Sequence, residues 1–268
     1  MKLQVLVVTM NQKDFSLVDK MNLNSDAIFA NQSDAMSDDM IEKNNHTYRM
    51  ITTKTRGVGK NRNIALTYAS GDICLLADDD LFYCDNYEQI IINAFEKKPD
   101  ADAMIFNIKT VGRAVERRMN NRVKKVTLLN FQNYGAVRLA FRREALQKAN
   151  VYFSELFGGG TCYSHGEDSL FLRQLLNKGM SIYTSPEYIG TVNQEKSSWF
   201  NGYGDKFFYD QGVLMKAMFP RMNVIYSSIY YPLRFSRISG KSPVYIAGWM
   251  RKGAKDFAKK GITVYEEG

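Results

Sequence analysis

Three consecutive aspartates, Asp78-Asp79-Asp80, close a short apolar run from Ile73 to Ala77. Strand propensity favours the apolar half, and nothing about a strand favours the acids. Carboxylates crowded at the tip of a buried strand repel one another and resist desolvation. A divalent cation removes that penalty. Hard oxygen donors suit Mg²⁺ or Mn²⁺, which take one or two carboxylates, keep waters and complete the shell with phosphate oxygens. By itself the triplet serves a solvated acidic turn, with Asp80 as a cap, equally well. A second acidic pair, Glu167-Asp168, follows the irregular stretch Phe157-Gly158-Gly159-Gly160-Thr161 and opens a run in which Leu172, Leu175 and Leu176 recur at helical spacing. The helix macrodipole favours first-turn acids, which accounts for one of them. The glycine-rich loop sets this helix start beside an opening in the fold, where a carboxylate can act as a general base.

The elements that must carry these acids follow from periodicity. Residues 3–9 read as a buried strand, 14–23 as a helix on Phe15, Val18 and Met21, and Asp26 to Ala30 as a second strand. Residues 35–47 read as a polar, mobile connection, and Tyr48 to Thr52 as a third strand. The turn Gly57-Val58-Gly59, with Arg62 and Asn63 behind it, leads a helix through Ala69 that stops at Gly71. Asp85 and Glu88 suit a capping box for a helix reaching Lys97, and strands are expected at Ala103–Ile108 and Ala136–Phe141, with a short helix at Arg143–Ala149. This alternation predicts a mostly parallel sheet with helices on both faces. Strand ends near Thr9, Asn31 and Asp78 then gather along one edge, where a nucleotide would lie.

Bulk composition narrows the class. A hydrophobic content of 45% and an aromatic content of 13% in 268 residues support a substantial core and exclude a disordered chain. The apolar run Val5 to Val8 is too short for a secretory signal, and no window suffices for a membrane span. Cys74, Cys84 and Cys162 show no metal-ligand spacing and read as packing residues in a reduced, cytoplasmic setting. The net charge of +8 is uneven, since residues 221–268 carry nine Lys or Arg against Asp256, Glu266 and Glu267. The remaining body is close to neutral, which argues against nucleic acid as a partner. The basic loop at 110–125, with Arg113, Arg117, Arg118, Arg122, Lys124 and Lys125, reads as solvated or as a contact to an anionic substrate.

In this order the motifs resemble family 2 glycosyltransferases of the GT-A fold, over about residues 1–200. Leu3 to Asn11 is similar to the first nucleotide-binding strand, and Asn31-Gln32-Ser33 stands where the family has Asp-Asp-Gly-Ser. Gly57, Gly59, Arg62, Asn63 and Gly71 resemble the Gly-x-x-x-x-Arg-Asn…Gly segment, Asp78-Asp79-Asp80 the Asp-x-Asp metal motif, and Glu167-Asp168 the Glu-Asp acceptor motif. The resemblance implies a Rossmann-like, mostly parallel central sheet flanked by helices, with a C-terminal helical extension. Residues 1–220 would form the catalytic domain, with 1–109 holding the nucleotide sugar and 110–220 the acceptor, and 221–268 a basic, aromatic extension. It also implies inverting transfer from a nucleotide-diphosphate sugar, UDP- or dTDP-linked, with Mn²⁺ or Mg²⁺. The acceptor would be a hydroxyl on a glycan or lipid-linked glycan of bacterial capsule or lipopolysaccharide. Thr9, Asn11 and Asn31 would border the nucleobase, and Arg62 would lie near the base or diphosphate. Asp78 and Asp79 would hold the donor, and Asp80, with Asp78, the cation. Asp168 would take the acceptor's proton, and Glu167 would orient the acceptor or that base. Asn31 departs from the family's acid, although its amide still offers donors and an acceptor to uracil or thymine. The family histidine expected near Asn193 is missing, which leaves a third protein ligand to the metal unassigned.

Gly159, Gly160, His165 and Trp199 complete the candidate set, as loop or acceptor contacts. His165 also reads as a solvated loop histidine, and Trp199 equally as a sugar-stacking aromatic or as a core or lid aromatic. The run Gly212 to Phe219 reads as helix packing. Basic residues beside aromatics in 221–268 suit either a helix lying on an anionic membrane or a helical pair packed on the body. A sugar nucleotidyltransferase, a glycoside hydrolase and a non-enzymatic membrane-surface or nucleic-acid adaptor are the competing classes. Met10-Asn11-Gln12-Lys13 matches the first-loop signature of the nucleotidyltransferases poorly.

Overall fold

The computed structural model describes residues 1–111, 119–193 and 202–260. In chain order, β1 (Leu3–Met10), α1 (Leu17–Lys20), β2 (Asp26–Gln32), β3 (Ser37–Lys43), β4 (His46–Thr53) and α2 (Val58–Thr67) come first. They are followed by β5 (Ile73–Asp78), β6 (Leu81–Tyr83), α3 (Tyr87–Lys97), β7 (Ala103–Val111), β8 (Lys124–Lys125), β9 (Leu139–Arg142) and α4 (Arg143–Ala149). The last elements are α5 (Glu167–Asn177), β10 (Ile182–Asn193), α6 (Asp205–Met218), α7 (Asn223–Ile225), α8 (Tyr231–Ser239) and α9 (Pro243–Lys259). A π-helical turn, Tyr226–Tyr230, joins α7 to α8.

One sheet runs through the molecule in the order β3-β4-β2-β1-β5-β9-β7-β10-β6, with β8 beside β10. The block β4-β2-β1-β5 is parallel, as is the pair β7-β10, and short β9 runs antiparallel between β5 and β7. Alternation along the central strands divides the core in two. Val5, Val7, Phe29 and Leu75 meet Val18, Met21, Ile91 and Phe95 on one face. Leu6, Ile28, Cys74 and Leu76 share the other face's core with Ala65, Leu172 and Phe208. The expected mostly parallel α/β architecture is therefore present.

Several local expectations are corrected. The helix expected over 14–23 is only the single turn α1, because Asn22 takes a left-handed φ of 54° and redirects the chain into β2. The connection expected at 35–47 is instead the edge strand β3, paired antiparallel with β4. Asn44 and Asn45, at φ of 51° and 63°, supply the left-handed pair that a tight two-residue hairpin requires. The capping box does not form, since α3 starts behind Asn86 and Asp85 accepts from the Asn22 amide at 2.8 Å. The strand expected from Ala136 starts only at Leu139, after a 3-10 turn at Ala136–Arg138. No strand was expected at β10, whose register slips around Pro186 and so breaks the period-two pattern.

Candidate functional site

The site is organised by α2, which is laid across the ends of β1 and β2. Asn61 donates its amide to the carbonyls of Thr9 (3.2 Å) and Ala30 (2.7 Å), and Gln32 reaches the Gly57 carbonyl at 2.8 Å. Gly59 lets the helix approach the 153–154 segment closely, because a Cβ there would lie 2.2 Å from the Ser154 carbonyl oxygen. Asn63 then locks that segment by bonding both the N–H and the carbonyl of Phe153. Arg62, on the same helix, is 4% exposed and rests over the Phe153 ring.

The Arg62 guanidinium gathers the acids from both ends of the sequence. It donates to Asp78 at 3.1 Å, hydrogen-bonds Asp168, and lies 3.6 Å from Glu167. The other oxygen of Asp168 accepts from the Ala136 N–H at 2.9 Å, so the carboxylate is oriented from two sides and keeps lone pairs open. The strand-tip acids and the α5 acids therefore share one site. Burial alone would weaken the charged guanidinium, yet Asp168, Asp78 and Glu167 outweigh it and hold Arg62 firmly protonated. Burial pushes the Asp78 carboxyl up, against the pull of Arg62 and with the push of Asp168. Glu167 is raised to about 7, by burial first and then by the neighbouring charge of Asp168.

The other expected residues fall around this hub. The Thr9 hydroxyl donates to Asp79 at 2.5 Å, tying the β1 end to the aspartate turn. Asn31 is fully buried, and its amide is committed to the Gln12 backbone and to Thr52. It thus shapes the β1–α1 loop from beneath. Asn11 is exposed in that loop at φ 55°. Asp80 is exposed at the turn into β6. The Gly159 carbonyl accepts from the first N–H of α2, from Val58, at 3.0 Å, and Gly160 packs against Gly57. The glycine loop therefore supports the helix that presents Arg62. His165 is no solvated loop residue. It stacks on Phe207, bonds Ser164 and Gln211, and burial lowers its pKa. Trp199, Arg113, Arg117 and Arg118 lie outside the described residues.

Sequence reasoning missed Asn61, Ala136 and Asp210. Asp210 is 0% exposed on α6 and accepts from the N–H and hydroxyl of Ser164, three residues before Glu167. An acid in the mainly apolar stretch Phe207–Met218 was the available signal.

The acids at the tip of β5 are hard oxygen donors, the kind a divalent cation takes. Asp78 is a carboxylate whose ionisation costs energy where it stands, and one guanidinium serves three acids. Among the described residues no group of three or more His, Cys, Asp or Glu side chains is arranged to hold a metal. A cation here would use one or two aspartates, Asp78 and Asp80, and complete its shell with phosphate oxygens.

An α/β sheet whose strand ends carry clustered acids around one buried arginine defines a ligand-binding α/β enzyme of the open-sheet class. The particular family follows from comparison: the model of glycosyl transferase family 2 matches residues 28–190, more than half the chain. The chain belongs to that family, and its fold is GT-A. Among solved structures, S. aureus TarS residues 1–349 superposes with a TM-score of 0.62 at 17% identity, covering 97% of this chain and 92% of that one. The same TarS segment in complex with UDP-GlcNAc gives 0.60 at 16% identity, covering 96% and 72%. Its complex with UDP gives 0.57 at 17%, covering 97% and 71%. No curated protein matches the chain.

Proposed function

We propose that this glycosyltransferase moves a sugar from a nucleotide-diphosphate donor, UDP- or dTDP-linked, to an acceptor hydroxyl with inversion. The observation that carries the reading is the single guanidinium of Arg62 spanning Asp78 on β5 and Asp168 on α5. The acids assigned here to the donor and to the acceptor thereby meet at one cation. UDP-GlcNAc and UDP bound to the TarS neighbour support the choice of donor.

Within this reading residues 1–220 are the catalytic body, 1–109 binding the donor and 110–220 the acceptor, with 221–268 an appended helical unit. Thr9, Asn11 and Asp79 line the donor side, Asn31 supports the loop beneath them rather than meeting the base, and Arg62 neutralises charge between the diphosphate and the acids. A divalent cation on Asp78 and Asp80 would supply Lewis-acid neutralisation of the leaving diphosphate. Asp168, oriented by Arg62 and Ala136, accepts the proton of the attacking hydroxyl, so one displacement inverts the anomeric centre. A second assignment gives that proton to Glu167, whose pKa near 7 suits a base at neutral pH. The acceptor is a lipid-linked glycan of capsule or lipopolysaccharide type, met by a cytoplasmic enzyme peripheral to the membrane.

Asp168→Asn should lower transfer by about 10²–10⁴-fold. Stabilisation of the protein by the nucleotide sugar should be retained. Unchanged turnover in that variant, with loss in Glu167→Gln, would move the base to Glu167. Unchanged turnover in both would remove the proposed chemistry.

A further inference from the structure

The run α7, π-turn and α8 packs on the body through Tyr231, Pro232 and Phe235, which are buried. A helix on a globular domain ordinarily gives its opposite side to polar groups. This one carries a second apolar stripe there. Ile225, Ile229 and Leu233 recur every four residues and are 53%, 57% and 51% exposed, and Val224 and Ile238 reach 66% and 57%. Scattered exposed apolar residues are ordinary, but a concentrated group marks a contact surface. Here six of the 22 large apolar side chains exposed among the described residues fall in the 15 residues from Val224 to Ile238.

Charge identifies what the stripe fits. Between Asp210 and Asp256 the chain has eight Lys or Arg and no acid. Arg234 and Arg237 are exposed and lie four residues beyond Tyr230 and Leu233, so they sit beside the stripe on the same helical side. Apolar side chains rimmed by cations match the acyl boundary and anionic head groups of a lipid surface. The same surface on a second copy would oppose cations to cations. Helix α9 is not part of this face, because Met250 and Phe257 are buried, Trp249 packs against the core and the Tyr245 hydroxyl is engaged by Asp205.

We propose that the α7–α8 face, from Val224 to Ile238, seats the enzyme on an anionic membrane surface. The proposal rests on the glycosyl-transfer reading only for its purpose, which is presentation of a lipid-linked acceptor. The placement suits that purpose. The Tyr231 hydroxyl donates to Gln132 at 3.0 Å, and Gln132 lies four residues before Ala136, whose N–H holds Asp168. The docking face and the acceptor-side acid are thus joined by one short segment.

The test is co-sedimentation of the full chain with phosphatidylcholine vesicles, with and without phosphatidylglycerol, at low and physiological salt. The same samples are read for thermal stabilisation by nucleotide sugars. The wild type should pellet with the anionic vesicles and stay in solution with the neutral ones. Ile225→Ser/Ile229→Ser/Leu233→Ser and, separately, Arg234→Gln/Arg237→Gln should each lower vesicle affinity about tenfold or more. Both should keep the wild-type unfolding temperature and nucleotide response. If the apolar variant fails to fold, the charge variant reads the same surface. A wild type that remains in solution, that pellets equally with neutral vesicles, or whose variants pellet like it overturns the proposal. So does a self-associating wild type that the apolar substitutions convert to monomer. Lost vesicle binding with an intact nucleotide response sinks only the docking face. Vesicle binding without response to any nucleotide sugar sinks only the catalytic reading.

Discussion

Arg62 and its three acids set the terms at the scale of single residues. The pair with Asp168 spans 106 positions of sequence. Resemblance could mark Arg62 as a donor contact, but no spacing rule reports a partner that distant. Removing the guanidinium leaves half-buried carboxylates uncompensated, so Arg62→Met should cost about 3 kcal/mol in urea unfolding. That is the low end of the usual range, because Asp78 still reaches water. Arg62→Lys keeps a charge but loses the fork, and should recover only part of the loss. Glu167 gives a pH signature of opposite sense. Its carboxyl is raised from 4.5 to about 7 in the folded state, so the folded protein holds this proton more tightly than the unfolded chain. Stability from this group is therefore full below pH about 4.5 and is lost as pH rises through about 7. Glu167→Gln, which cannot ionise, should be more stable than wild type at pH 8 by roughly 1–3 kcal/mol. The advantage should shrink toward nothing near pH 4. A wild type and variant that differ equally at both pH values would show that Glu167 is not held protonated.

Elements place these residues, and they were unevenly legible. The continuous apolar strands β1, β2 and β5 and the amphipathic α5 announced themselves, because buried parallel strands and one-sided helices leave plain patterns. The β3–β4 hairpin was hidden by its polarity: an edge strand facing water carries no apolar period, and only Asn44-Asn45 marked the turn. The Asp-x-Asp and Glu-Asp motifs were readable as acids, whereas their meeting through α2 depends on Asn61 and Gly59, which look ordinary in sequence. The crossing of α6 and α9 depends on another pair of plain residues. A Cβ at Gly212 would lie 1.9 Å from the Met250 carbonyl, and one at Gly253 would lie 2.1 Å from that of Tyr209. Backbone cannot yield as a flexible side chain does, so Gly253→Ala must push the helices apart, costing about 1–3 kcal/mol. Because α6 also brings Asp210 and Gln211 to Ser164 and His165, the same substitution should loosen the start of α5. Hydrogen exchange at the α5 amides should rise in Gly253→Ala, and exchange in β1 and β2 should stay as in wild type.

At the scale of the whole molecule, the sheet brings acids from β5 and α5 to one edge and leaves them with too little positive charge of their own. Arg62 is the buried cation that pairs with them among the described residues, and the body that surrounds the site is near neutral. On the proposed function the missing charge arrives with the ligand, as a cation bound together with a diphosphate. This predicts cooperative stabilisation. Mn²⁺ alone or a nucleotide sugar alone should shift unfolding little, and the two together should shift it strongly. A ligand at a hundred times its Kd adds about 2.7 kcal/mol, which for a chain of this size is roughly 5–10 °C. A panel of nucleotide sugars read with Mn²⁺ and with EDTA measures the effect and reports the preferred donor by the size of the shift. Asp80→Asn should remove the part that needs the metal and leave the weak response to nucleotide alone. A response to the preferred donor that is as large in EDTA as in Mn²⁺ would mean that Arg62 meets the diphosphate without a metal. Stabilisation by nucleoside triphosphates with pyrophosphate release would instead assign the strand-tip acids to nucleotidyl transfer.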